Sequence, residues 1–179
     1  MYPNANVIWY DAHIDAYSPD TSIWKSMHGM PVFFLTADRW FDEKIILAPQ
    51  DMVYFGLRHR EANPTPEAMK RAINNKYQHT WLEAVGVKAY FGEECTPENV
   101  EKHKKEVYEY FGDRKDNPIF ISYDIDALDG EAFPSTGSPE HSGPGLDWAL
   151  KNLDSFLPNT IGIDINEVGF DHCESESKR

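Results

Sequence analysis

A chain of 179 residues with 41% hydrophobic and 13% aromatic residues is long enough to bury one core and too apolar to remain disordered. Thirty acidic residues against 17 Lys and Arg give a net charge of −13, which repels a phosphate backbone, argues against nucleic acid as a partner and favours cations. Apolar runs such as PVFFL and IFISY are far too short to span a bilayer, so no membrane partner is expected.

In chain order, NVIWY (6–10) predicts a first strand, a short helix begins near Pro31, and DMVYFGL (51–57) predicts a second strand. Thr65-Pro66-Glu67 opens a long amphipathic helix that Gly86 stops, with Met69, Ile73, Tyr77, Trp81 and Leu82 at helical spacing. VKAYF (87–91) is a third strand. Thr96-Pro97-Glu98 opens a helix with Val100, Val107 and Phe111 inward and Gly112 at its end. PIFISYDI (118–125) is a fourth strand, Leu146–Leu157 a helix stopped by Pro158, and TIGIDI (160–165) a fifth strand. The strands read as mostly buried on both faces. This alternation predicts an α/β fold with a mainly parallel sheet of about five strands and right-handed crossovers. One domain over 1–170 and a polar tail over 171–179 are expected. No charged-then-apolar leader precedes the first strand, so an unprocessed, cytoplasmic chain is the expectation. Cys95 and Cys173, without CxxC spacing, suggest neither a disulfide framework nor a cysteine zinc site.

Ligands of open α/β sheets bind beyond the carboxyl ends of the strands, and polar residues converge there. Asp11, His13 and Asp15 follow the first strand. Arg58, His59 and Glu61 follow the second, Glu93 and Glu94 the third, Asp124, Asp126 and Asp129 the fourth, and Glu167 the fifth. Carboxylates crowded on one rim repel one another unless cations neutralise them. Carboxylate oxygens with an imidazole suit Mn²⁺ or a similar ion, and a bridging carboxylate suggests a pair of ions. Either DAHID or DIDALD alone reads equally as a solvated acidic loop; both together, each ending a strand, point to a metal centre assembled from two segments. For Asp129 a turn or cap role stands beside ligation.

The segments WYDAHIDAYSPDTS, MHGMPVFFL, DMVYFGLRHRE, FISYDIDALDGEAFPSTGSP and GIDINEV, in that order, resemble the arginase and agmatinase ureohydrolases, with arginase the nearer. The resemblance runs from Val7 to Val168. It implies a three-layer arginase-like fold around a dimanganese site where metal-bound hydroxide hydrolyses a small guanidino substrate, L-arginine, to L-ornithine and urea. By analogy Asp11 and Asp124 bridge the ions, and His13, Asp15 and Asp126 complete the ligand set. Asp15 also stands near the leaving amine as proton donor, and Glu167 holds the guanidinium by paired charge-assisted hydrogen bonds. His28 in HGxPV matches a proton-shuttling histidine, although taken alone it reads as a structural or helix-start residue. Ser138 in STGSP and Glu61 fall at substrate-binding positions, Glu61 reading otherwise as a surface acid near Arg58 and Arg60. Homo-oligomers, trimers or hexamers, are a further implication.

The sequence departs from the family pattern in places. It has no GGDHS-like segment, which in the family supplies another metal-ligating histidine, and no closing helix after EVN. A sheet without the family's opening strands is therefore expected, with one or two ions bound. Tyr17 and IWKS (23–26) stand where arginases place residues that read the amino-acid end of arginine; Lys25 or Ser26 could substitute. Two alternatives accompany the arginase reading: an arginase-like piece that binds metal or a partner without turnover, and a single-metal amidohydrolase or agmatinase-like enzyme.

Overall fold

The computed structural model describes residues 4–22, 25–37, 46–58 and 81–169. The chain divides into two compact units, one of residues 1–12, 51–58 and 88–179, the other of residues 13–50 and 59–87.

The first unit contains the sheet. Its strands are β1 (Asn6–Tyr10), β2 (Met52–Leu57), β3 (Lys88–Phe91), β4 (Ile119–Asp124) and β5 (Thr160–Asn166), all parallel, in the order β3-β2-β1-β4-β5. Each lies within a residue or so of its predicted position, because runs of β-branched and aromatic residues bounded by breakers leave little choice of register. Ile8 pairs with Val53 and Ile121, and Tyr10 with Phe55 and Tyr123. A register shift between β2 and β3 falls at Gly56, whose φ of 90° only glycine adopts readily.

Alternate residues of the sheet share a face. One face, with Ile8, Tyr10, Val53, Phe55, Ile119 and Ile121, packs against two helices, α2 (Val100–Phe111) and α3 (Leu146–Phe156). Val100, His103, Val107 and Phe111 are the buried stripe of α2, at spacings of three and four, and Trp148, Ala149, Asn152 and Phe156 that of α3. Tyr10 is central to this core: its ring stacks on Tyr123 at 4.8 Å, and its hydroxyl donates to Asn152 Oδ1 at 2.6 Å. On the other face Trp9 meets Tyr54.

The expectation of strands mostly buried on both faces does not hold for β5. Ile161, Ile163 and Ile165 are 41%, 41% and 66% exposed. β5 is an edge strand bonded to β4 alone among the described strands, and the buried stripe of α3 contributes to the core cluster together with residues of β1, β2 and β4.

In the second unit α1 (Pro31–Thr36) starts at Pro31 as predicted, and residues 81–85 form a helical turn ended by Gly86 at φ 68°. Most of the helix predicted over 65–85, and the tail over 171–179, lie outside the described residues. Among the described residues no helix is long and apolar enough to cross a membrane.

Candidate metal centre

From β1 the chain steps outward to β2 and β3 on one side, whereas β4 and β5 lie on the other, so the topological switch point falls between β1 and β4. In open α/β sheets such a point, beyond the carboxyl ends of the strands, is where ligands bind. Asp11 immediately follows β1, Asp124 is the last residue of β4, and Asp126 lies in the 3-10 turn Ile125–Ala127 that follows. Two of the acidic motifs therefore meet because their strands are neighbours.

All three carboxylates are buried, with exposures of 1%, 8% and 3%. Asp11 accepts a hydrogen bond from Trp9 Nε1 at 2.9 Å. Asp124 Oδ1 accepts from the Asp126 N–H at 2.9 Å, and Asp126 Oδ1 from the Ala12 N–H at 3.0 Å. One carboxylate oxygen of Asp11 lies within 4.8 Å of one of Asp126. Burial, followed by the charges of Asp11 and Asp126, pushes the Asp124 carboxyl up to about 9. A buried group of like charges held this close is unfavourable until a cation joins it.

Asp129 has the turn role. Its carboxylate accepts from the Glu131 and Gly143 N–H groups at 3.0 and 3.1 Å. Burial, the largest single influence, raises its pKa, but these main-chain donors together with those of Ala132 and Ser142 outweigh it and hold the pKa below its ordinary value.

At the edge of the sheet, Glu167 follows β5 with φ 57°, a left-handed conformation uncommon for a residue with a side chain. An antiparallel bridge pairs Thr136 with Val168, and the Gly169 N–H donates to the Ser135 carbonyl at 2.8 Å. This pairing brings the STGSP loop beside Glu167, whose Oε2 lies 3.4 Å from where a Cβ on Gly137 would stand, next to Ser138. Glu167 and Ser138 are both exposed.

His13, Asp15 and His28 belong to the second unit. There the Tyr17 N–H donates to the Gly29 carbonyl and the Val32 N–H to the Asp15 carbonyl, each at 3.0 Å, so the segment of Asp15 runs beside the segment of His28. Asp15 is also left-handed, at φ 54°. His28 is exposed in the 3-10 turn Met27–Gly29 before α1. Ser26 Oγ accepts from the His28 N–H at 3.4 Å, and the Lys25 ammonium donates to the carbonyls of Pro19 and Asp20. Glu61 lies outside the described residues.

Two residues at the site carry more than their sequence pattern suggests. Trp9 reads as a strand aromatic yet orients Asp11. Arg58, a rim cation in the sequence, sends its guanidinium into the loop that carries Asp126. Its position directly after β2 was the available signal.

The model of the Arginase family matches residues 1–176. Arginase-1 of Sus scrofa is 32% identical over 181 residues, covering 94% of this chain and 51% of that protein. The chain thus spans about half the length of the curated relatives it matches. Among solved structures, Entamoeba histolytica arginase in complex with L-ornithine superposes with a TM-score of 0.75 at 23% identity, covering 94% of this chain and 55% of the other. A hypothetical agmatinase from Burkholderia thailandensis does so with a TM-score of 0.68 at 21% identity, covering 98% and 46%. Both share the fold.

Proposed function

This chain belongs to the arginase family, and from that premise we propose that it is a manganese-dependent ureohydrolase that converts L-arginine to L-ornithine and urea. The observation that carries the reading is the burial of Asp11, Asp124 and Asp126 together at the switch point of the sheet. The donor set fits a divalent ion of intermediate hardness, with carboxylate oxygens from three aspartates and, in the DxHxD motif, an imidazole and a further carboxylate. Asp11, His13, Asp15, Asp124 and Asp126 would hold it. When bound, the ion supplies a Lewis acid that lowers the pKa of water.

The other roles fall to the chain's own groups. Glu167 carries the carboxylate that pairs with the substrate guanidinium, and Ser138 in the loop beside it offers a hydroxyl. Asp15 donates the proton that lets the amine leave, and His28 exchanges protons with solvent at the exposed turn before α1. Glu61 is the proposed contact for the far end of the substrate. Arginine is preferred to agmatine because the curated relatives near 30% identity are arginases.

The test is urea release from L-arginine and from agmatine by Mn²⁺-loaded protein. Urea from arginine, and less from agmatine, is the expected result; a folded, metal-loaded chain that releases none from either would overturn the enzymatic reading. A second reading, a single-metal or binding-only relative, accords with the buried aspartates Asp11, Asp124 and Asp126, whose carboxylates suit one ion as well as two. One retained ion without urea release would select that reading.

A further inference from the structure

Arg58 closes a ring of hydrogen bonds that includes Asp126 of the acidic cluster. Its main-chain N–H donates to the Ala12 carbonyl at 2.9 Å, the Ala12 N–H donates to Asp126 Oδ1 at 3.0 Å, and the Asp126 carbonyl accepts from Arg58 Nη2 at 2.6 Å. The same guanidinium donates to the carbonyls of Gly56 and Ala127 at 2.6 Å, Leu128 at 2.5 Å and Glu140 at 3.2 Å. Five main-chain carbonyls from three segments thus converge on one planar group. Such convergence is unusual, because a buried guanidinium ordinarily pairs with a carboxylate. Here its hydrogen bonds to carbonyls fix the loop, while its charge lies near those of Asp126, Glu140, Asp129 and Asp11.

We infer that Arg58 is a positioning residue for the divalent-cation site: it locks the loop Asp126–Leu128 and the end of β1 in the arrangement that presents Asp11 and Asp126 to an ion. This rests on the metal-dependent reading proposed above. Lysine cannot replace it, since an ammonium is a point donor with three N–H groups, whereas the guanidinium reaches carbonyls on two edges at once. Gly143 supports the same geometry: a methyl group there would overlap the guanidinium.

The test is Mn²⁺ affinity by isothermal titration, with a thermal melt of each protein. Wild type, Arg58→Lys, Gly143→Ala and Val107→Ala are compared, Val107 being fully buried in α2 and part of the helix-packed core. The expected result is that Arg58→Lys weakens Mn²⁺ binding about 10- to 100-fold, as loss of a group that orients metal ligands does. Gly143→Ala should act in the same direction, and Val107→Ala should lower the Tm while leaving affinity within about twofold of wild type. If Arg58→Lys does not melt cooperatively, Gly143→Ala decides. Folded Arg58→Lys with wild-type affinity would overturn the inference. So would affinity that falls equally in Val107→Ala, or loss of the fold in both Arg58→Lys and Gly143→Ala, because either makes Arg58 a structural residue only. Failure of wild type itself to bind Mn²⁺ is a different outcome, which removes the metal-dependent reading and the inference with it.

Discussion

The middle and one edge of the sheet's acidic rim are built in opposite ways. At the switch point Asp11, Asp124 and Asp126 are buried, bonded to Trp9 Nε1 and to main-chain N–H groups, and crowded enough to raise a carboxyl far above its ordinary range. At the edge, Glu167 is exposed after a strand whose isoleucines are exposed as well, and a left-handed φ and one bridge to Thr136–Val168 place it. Both regions present carboxylates beyond strand ends. Only the first confines them away from water, and confinement turns a cluster of like charges into a cation site. A solvated carboxylate keeps its charge without an ion and is suited to a transient partner such as a guanidinium.

The largest expected effect breaks the first region. Asp124→Asn keeps the Oδ1 acceptor for the Asp126 N–H but removes the charge of a proposed ligand. It should weaken Mn²⁺ binding by more than about 100-fold in a titration, whereas Glu167→Gln should leave affinity within about twofold. In the packing beneath these sites, Ile121→Ala in the core should cost about 2–5 kcal/mol in denaturant unfolding. The same change at Ile165, 66% exposed, should stay within about 0.5 kcal/mol. A large cost at Ile165 would mean that the edge is covered in solution. Glu167→Gln should lower kcat/KM for urea release on the order of 10- to 100-fold, the worth of one hydrogen bond to a charged group; an unchanged value would remove Glu167 from substrate binding.

The smallest effect is a pH dependence. His103 is buried against Phe55 and Tyr90, its Nδ1 has no hydrogen-bond partner among the described residues, and burial is the main cause that lowers its pKa, with Lys102 and Lys88 acting in the same direction and Glu106 and Glu94 opposing. The folded chain therefore binds a proton less readily than the unfolded chain. Stability from this group is complete above the ordinary histidine pKa and is lost as pH falls below it. Between pH 7 and pH 5 the Tm of wild type should fall by about a few degrees more than that of His103→Leu. Equal slopes would assign the acid sensitivity elsewhere.

Much of this was legible in the sequence, for physical reasons that can be named. The strands were visible because each is a short β-branched or aromatic run between breakers, and the buried stripe of α2 because Val100, Val107 and Phe111 keep helical spacing. Two acidic motifs at strand ends suggested that Asp11 and Asp124 lie close together, although only the strand order shows that β1 and β4 are neighbours. His103 was invisible, since a single histidine between lysines on a helix looks solvent-facing. The exposure of β5 was misjudged because alternating Ile161, Ile163 and Ile165 report a face suited to burial, not what covers it. The role of Arg58 depends on main-chain carbonyls from distant segments, which no side-chain pattern encodes. Asp129 could be read either way until its bonds to the Glu131 and Gly143 N–H groups were seen.

The most direct test of the account is the Mn²⁺ retained per chain after loading and dialysis, measured alongside a thermal melt for wild type and Asp124→Asn. At least one ion per cooperatively folded wild-type chain and none on folded Asp124→Asn is the predicted result. A wild-type chain that folds cooperatively and retains no Mn²⁺ would contradict it.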